Sequence, residues 1–88
     1  MVTKTVKLNN EDGLHARAAA LFVRTANRFK SEITLSLNGD SVNAKSIIGI
    51  MSLGAFSGED IAIAAQGEDE VEAVDNLVHL VENEFSIM

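Results

Sequence analysis

The sequence predicts an α+β domain in which helices cover one face of an antiparallel sheet, with elements in the order β-α-β-β-α-β-α. Three observations carry that expectation. Short apolar alternations of period two mark strands, longer stretches of helical periodicity mark helices, and an Asn38-Gly39 pair joins two of the alternating segments. Pattern alone leaves the pairing order of the strands open.

Val2, Val6 and Leu8 share one parity, as in a half-buried strand. Ala19, Phe22, Val23 and Ala26 then recur at helical spacing, with Phe29 beyond. Ile33, Leu35 and Leu37 alternate with Thr34 and Ser36, and Asn38-Gly39 supplies the residues that a tight hairpin turn needs before Val42 and Ala44. Ser46 precedes an apolar run and is expected to cap a short helix, a role typically worth about 1 kcal/mol. Ile61 and Ile63 mark a strand between Gly58 and Gly67. A last helix follows, capped by Asp69 with Glu72 three residues on. Its acidic first turn suits the helix dipole, and its expected buried stripe is Val71, Val74, Val78, Val81 and Phe85.

At 88 residues the chain fits one domain, residues 1–88, with no linker, repeat or low-complexity tract. A domain of this size buries only about 60% of the unfolded surface or slightly more, which leaves no room for a deep active site. The absence of cysteine removes disulfides, thiolate nucleophiles and thiolate zinc sites, and fits a reducing cytoplasm. Lys4 and Lys7 lie near the amino terminus without a long apolar run, so neither a signal peptide nor a membrane span is expected. A formal net charge of -6, with no Trp or Tyr, opposes direct binding of nucleic acid. Charge is unevenly placed: every Lys and Arg lies at or before Lys45, whereas nine of the thirteen acids lie at or after Glu59. A basic surface around His15 is therefore expected.

Gly13-Leu14-His15-Ala16-Arg17 holds the strongest chemical signal, because it sets a histidine between a backbone hinge and the start of a helix. The first helical turn has backbone N–H groups without internal partners, and its dipole acts like roughly half a positive charge. That field disfavours the protonated ring and leaves a neutral nucleophile. If the ring took a phosphoryl group, the same N–H groups would meet the anionic product, and the Arg17 guanidinium could bond its oxygens bidentately. The plain alternative is a solvated histidine at a helix start.

Ile47, Ile48, Ile50, Met51 and Leu53 are too many apolar residues for one face of a short helix. With Ile50 and Leu53 toward the core, Ile47, Ile48 and Met51 form an exposed patch that marks a docking surface or a self-association contact. A phosphate on Ser46 would suit the helix end and place about two negative charges beside that patch. Glu72, Asp75, His79 and Glu82 lie at helical spacing, but one helix surface offers too few convergent ligands for a metal. A solvated acidic face is the preferred reading, with no metal and no cofactor. An acyl carrier protein would need an Asp-Ser-Leu attachment site, whereas Ser46 follows lysine and the Asn38-Gly39 hairpin demands strands.

Gly13-Leu14-His15-Ala16-Arg17 followed by Ala19-Ala20-Leu21-Phe22-Val23 resembles the active-site segment of the HPr family, the histidine-containing phosphocarriers of the bacterial sugar phosphotransferase system. Asn43-Ala44-Lys45-Ser46-Ile47-Ile48-Gly49-Ile50-Met51-Ser52-Leu53 resembles its regulatory serine segment, in the form typical of Gram-positive bacteria. The resemblance covers nearly the whole chain. It implies an open-faced β-sandwich of four antiparallel strands with three helices on one side. It also implies that His15 accepts phosphate, on Nδ1, from phosphorylated enzyme I, itself charged by phosphoenolpyruvate, and passes it to sugar-specific IIA domains. Arg17 would then bind the phosphate, and Ser46 would be the target of an ATP-dependent HPr kinase/phosphorylase. Ile47, Ile48 and Met51, with Ala20 and Arg24, would dock partners. The implied protein is a cytoplasmic monomer that carries phosphate rather than an enzyme. In low-GC Gram-positive relatives the serine-phosphorylated form also acts as corepressor with a catabolite-control transcription factor. A regulatory paralogue would keep Ser46 signalling and docking but leave His15 idle; the presence of both His15 and Arg17 speaks against it. The family usually has proline directly after the arginine, where this chain has Ala18, which returns an N–H to the first helical turn and frees its φ.

Overall fold

Alternation along the strands decides the architecture, because each strand has one apolar face to bury. In the computed structural model, which describes residues 1–85, the elements are β1 (Val2–Lys7), α1 (Ala16–Ala26), β2 (Glu32–Leu37), β3 (Asp40–Asn43), α2 (Ile47–Leu53), β4 (Asp60–Gln66) and α3 (Glu70–Glu82). The four strands form one antiparallel sheet in the order β1-β4-β2-β3. Val6 pairs with Ile61 and Leu35 with Ile63, so the buried side chains of neighbouring strands line up on one face. Ala62 and Ala64 alternate with them on the open face, beside Thr34 and Ser36. The expected order and the helix-covered single face are both present, and the pairing order that pattern left open is now fixed.

The hairpin forms where Asn38-Gly39 predicts it. Leu37 pairs with Asp40, and both turn residues lie in the left-handed region, with φ of 50° and 89°, matching the right-handed twist of the flanking strands. Leu8, Phe22, Leu35, Ile50, Ile61, Ile63 and Leu77 are fully buried, each such side chain worth about 1.5–3 kcal/mol relative to exposure. α3 packs on β1 and β4, α2 on β2 and β3, and α1 packs against both of these helices.

Two expectations for α3 need correction. Asp69 occupies the N-cap position but makes no capping bond. Its carboxylate instead accepts from the Ser31 hydroxyl at 2.6 Å, the Lys30 N–H at 2.9 Å and the Ser31 N–H at 3.0 Å. Ser31 is 1% exposed, so its donors have no water to turn to. These bonds, the Ser31 hydroxyl foremost, hold the Asp69 carboxyl at about 2, well below its ordinary value. Glu70, rather than Glu72, closes the first turn by accepting from the Gly67 N–H at 3.1 Å. That bond, with the nearby amino-terminal ammonium, lowers the Glu70 carboxyl as well. Val71 is 58% exposed, because at 3.6 residues per turn it falls roughly 100° from the centre of the buried arc. Ala73, Val74, Leu77 and Val81 form the stripe, extended by Phe85 and half-covered Val78.

Candidate functional site

The segment before His15 is a clamp rather than a hinge. Leu8 leaves β1 with its N–H donating to the Glu59 carbonyl at 2.9 Å and its carbonyl accepting from the Gly58 N–H at 2.7 Å. Asn10 is buried, and its Nδ2 donates to the Gly13 carbonyl at 2.6 Å while the Gly13 N–H returns to the Asn10 carbonyl at 3.2 Å. Leu14, also buried, donates its N–H to the Ala55 carbonyl at 3.0 Å. Gly13 sits where these segments touch, at φ +60°. A Cβ there would lie 2.7 Å from the Ala55 oxygen and 2.9 Å from Phe56 Cα, so only glycine fits without a backbone shift.

His15 is the N-cap of α1, with φ −74° and ψ 177°. Its carbonyl accepts the first intrahelical bond, from the Ala19 N–H at 2.8 Å. The N–H groups of Ala16, Arg17 and Ala18 therefore precede the internal ladder. One of them is turned onto the imidazole: the Arg17 N–H donates to His15 Nδ1 at 3.3 Å, a long bond. An accepting Nδ1 fits the neutral ring with its proton on Nε2 and leaves Nδ1 with the lone pair. The ring stands exposed at the mouth of an open groove of about 340 Å³, lined by Asp12, His15, Arg17, Ala18, Leu21, Glu84 and Phe85.

The basic surface expected here is only partly present. Arg17, Arg24 and Arg28 are all exposed along and just beyond α1, but the groove at His15 sets two carboxylates beside one guanidinium. Glu84 and Phe85 are groove residues that sequence reasoning missed. Both have left-handed backbone, with φ of 53° and 62°, at a corner where glycine would be the ordinary signal. Asp12 is a groove residue that the sequence analysis does not single out either.

The second constellation lies at the far end of α1. Asn27, the C-cap of α1, donates to the Val23 carbonyl at 2.9 Å and to the Lys45 carbonyl at 3.5 Å, next to Ser46. An α1 of 11 residues thus separates His15 from Ser46 by about 16 Å of helix. Ser46 caps α2 as expected, its hydroxyl accepting from the Gly49 N–H at 3.2 Å. Lys45 Nζ is held by the Phe29 carbonyl at 2.7 Å. Ile50 is buried and Leu53 half-buried, whereas Ile48 is 79% exposed and Ile47 and Met51 are exposed beside it. Ala20 is half-buried on α1 and Arg24 is exposed one turn on. Phe56, 71% exposed and with its backbone against Gly13, is a further exposed apolar side chain that the sequence reading did not single out. Glu72, Asp75, His79 and Glu82 are exposed on α3, with Asp75 paired to Lys4 at 2.7 Å.

Comparison with known proteins accords with this geometry. Residues 2–83 match the family described as the PTS HPr component phosphorylation site. Among curated relatives, the HPr-like protein Crh of Bacillus subtilis is 49% identical over 84 residues, covering 96% of this chain and 99% of that protein. The phosphocarrier protein HPr of Treponema pallidum is 45% identical over 85 residues, covering 97% of each. The crystal structure of HPr-C-His from Thermoanaerobacter tengcongensis superposes with a TM-score of 0.94 at 49% identity, covering 97% of this chain and 96% of that one. A match along almost the entire chain, on a sheet of the same design with a histidine at the start of α1, leaves one assignment: the chain belongs to the HPr family of phosphocarriers.

Proposed function

We propose that this chain carries phosphoryl groups on Nδ1 of His15, taking them from phosphorylated enzyme I and giving them to sugar-specific IIA domains. The observation that carries the reading is His15 at the N-cap of α1 with Nδ1 turned onto the Arg17 N–H. The Nδ1 lone pair forms the new bond to phosphorus. The bond from phosphorus to the donor breaks, and its electron pair stays with the donor. The ring keeps its Nε2 proton during that step. The phosphoryl oxygens then replace the lone pair as acceptors for the Arg17 N–H, with the other first-turn N–H groups and the Arg17 guanidinium at hand. Passage to a IIA domain is the same displacement with His15 as the leaving group.

Ser46 is the regulatory position of this reading, modified by an HPr kinase/phosphorylase. Ile47, Ile48 and Met51, with Ala20 and Arg24, form the docking face, which phosphate on Ser46 charges negatively. The serine-phosphorylated form pairs with a catabolite-control transcription factor, and the protein itself makes no direct contact with nucleic acid. It works as a cytoplasmic monomer of one domain. Incubation with phosphoenolpyruvate and enzyme I is expected to add one acid-labile phosphate, which His15→Ala abolishes while the fold survives. Labelling of that variant, on His79 for example, would refute the assignment.

The likeness to HPr-like Crh favours a second reading, in which Ser46 phosphorylation and docking are the main activity. Under it, ATP and the kinase label Ser46 while enzyme I leaves His15 unlabelled. His15 beside Arg17 supports the carrier reading over this one.

A further inference from the structure

We propose that Asp12 and Glu84 set the phosphoryl-transfer potential of His15, acting as fixed negative charges in the groove that receives the phosphate. The inference rests on the carrier reading and deepens it. Asp12 and Glu84 line the same groove as His15 and Arg17, and both are exposed. Among the described residues neither forms an ion pair. With a neutral ring, the groove holds two carboxylates against the Arg17 guanidinium before a phosphate of nearly two negative charges arrives.

Both residues stand on backbone that is held in place. Asp12 sits inside the turn closed by the paired Asn10–Gly13 bonds. Glu84 and Phe85 occupy consecutive left-handed positions, held by the Glu84 N–H on the Val81 carbonyl at 3.0 Å, the Phe85 N–H on the Leu80 carbonyl at 2.9 Å, and burial of the Phe85 ring. Two non-glycine residues in that region are strained unless their surroundings fix them. The corner thus fixes the backbone from which the Glu84 side chain reaches the groove.

Repulsion raises the free energy of the phosphorylated form and leaves free His15 untouched. The equilibrium for uptake falls, and the drive for onward transfer rises by the same factor. At a separation of one Debye length for ~0.15 M salt, about 8 Å, a carboxylate and a dianionic phosphate across water repel by about fourfold in equilibrium constant at ~10 mM salt. The factor is about twofold at ~0.15 M and near unity at ~1 M.

The test is a competition at equilibrium. Unmodified protein and the Asp12→Asn variant are mixed with a catalytic amount of enzyme I and less phosphoenolpyruvate than either protein. The phosphate is then partitioned on a native gel, where charge separates all four species. Enzyme I only exchanges the group, so the final ratio is independent of docking. The variant is expected to hold about two- to fourfold more phosphate at low salt, with the preference vanishing at ~1 M. Glu84→Gln is expected to behave alike. Glu68→Gln, by Asp69 and beyond the opposite end of α1, is expected to partition evenly. Equal partition of Asp12→Asn and Glu84→Gln at low salt overturns the proposal, as does a preference indifferent to salt or shared by Glu68→Gln. If the unmodified protein takes no phosphate, the carrier reading itself falls and this inference with it.

Discussion

Replacing Gly13 by alanine separates two penalties that the structure combines at one position. Gly13 has φ +60°, where a Cβ costs about 1–2 kcal/mol in an L-residue. The added methyl also meets the Ala55 oxygen at 2.7 Å and Phe56 Cα at 2.9 Å, both backbone atoms that cannot swing aside. Overpacking of that kind typically adds about 1–3 kcal/mol. Together they amount to about 2–5 kcal/mol, a large share of the ~5–15 kcal/mol that holds a typical domain folded. Gly58 isolates the first penalty, since its φ is +91° and a Cβ there meets nothing within 4 Å. Urea melts of Gly13→Ala and Gly58→Ala are therefore expected to differ by at least about 1 kcal/mol at equal m-value. Phosphate uptake on His15 is expected to fall with Gly13→Ala and persist with Gly58→Ala, because only the former displaces the Leu14–Ala55 bond. Equal midpoints for the two variants would refute the close approach and with it the clamp that aims His15.

Three further outcomes follow from other elements. Ser46→Asp puts a carboxylate at the N-cap of α2, so the thermal midpoint is expected to hold or rise slightly while transfer from enzyme I slows; an unchanged rate would remove the switch, and a collapsed midpoint would make the serine purely structural. Ala18→Pro is expected to change stability by no more than about 1 kcal/mol and to keep transfer, because the first intrahelical bond begins at the Ala19 N–H; a larger loss in a denaturant melt would mean that the Ala18 N–H has a structural partner. Asp69 is held at about 2 against an ordinary 3.8, so its stabilising contribution is complete above about pH 4 and lost as pH falls toward 2. Thermal midpoints across that range are expected to drop less steeply in Asp69→Asn, which starts from a lower midpoint at neutral pH; parallel acid limbs would contradict the Ser31 anchorage.

What could be read from the sequence is what is decided locally. Asn38-Gly39 names its own turn, Ser46 caps α2 through a hydroxyl three residues from its donor, and Ile48 faces outward because Ile50 and Leu53 fill the inner side. His15 was placed at the start of α1 by two periodicities meeting. What escaped depends on distant partners. Asp69 looks like a helix cap until Ser31, 38 residues away, claims its carboxylate. Val71 fits the apolar spacing of α3, yet the sheet meets that helix along Ala73 and Leu77. The groove beside His15 is completed by Glu84 and Phe85, whose left-handed corner has no glycine to announce it. The placement of charge along the chain likewise points to a basic surface at His15, because position in sequence cannot say which acids the fold brings back beside it.

The most direct test of the account is long-range proton–nitrogen NMR of the uniformly nitrogen-15-labelled protein after phosphorylation by phosphoenolpyruvate and enzyme I at alkaline pH. It reads which ring nitrogen bears phosphorus and what happens to the Arg17 amide. The N-cap geometry, with Nδ1 facing the Arg17 N–H at 3.3 Å, predicts phosphate on Nδ1 of His15 and a strongly shifted Arg17 amide proton as it exchanges a lone pair for a phosphoryl oxygen. Phosphate on Nε2, or on His79, or an Arg17 amide that does not move, would contradict it.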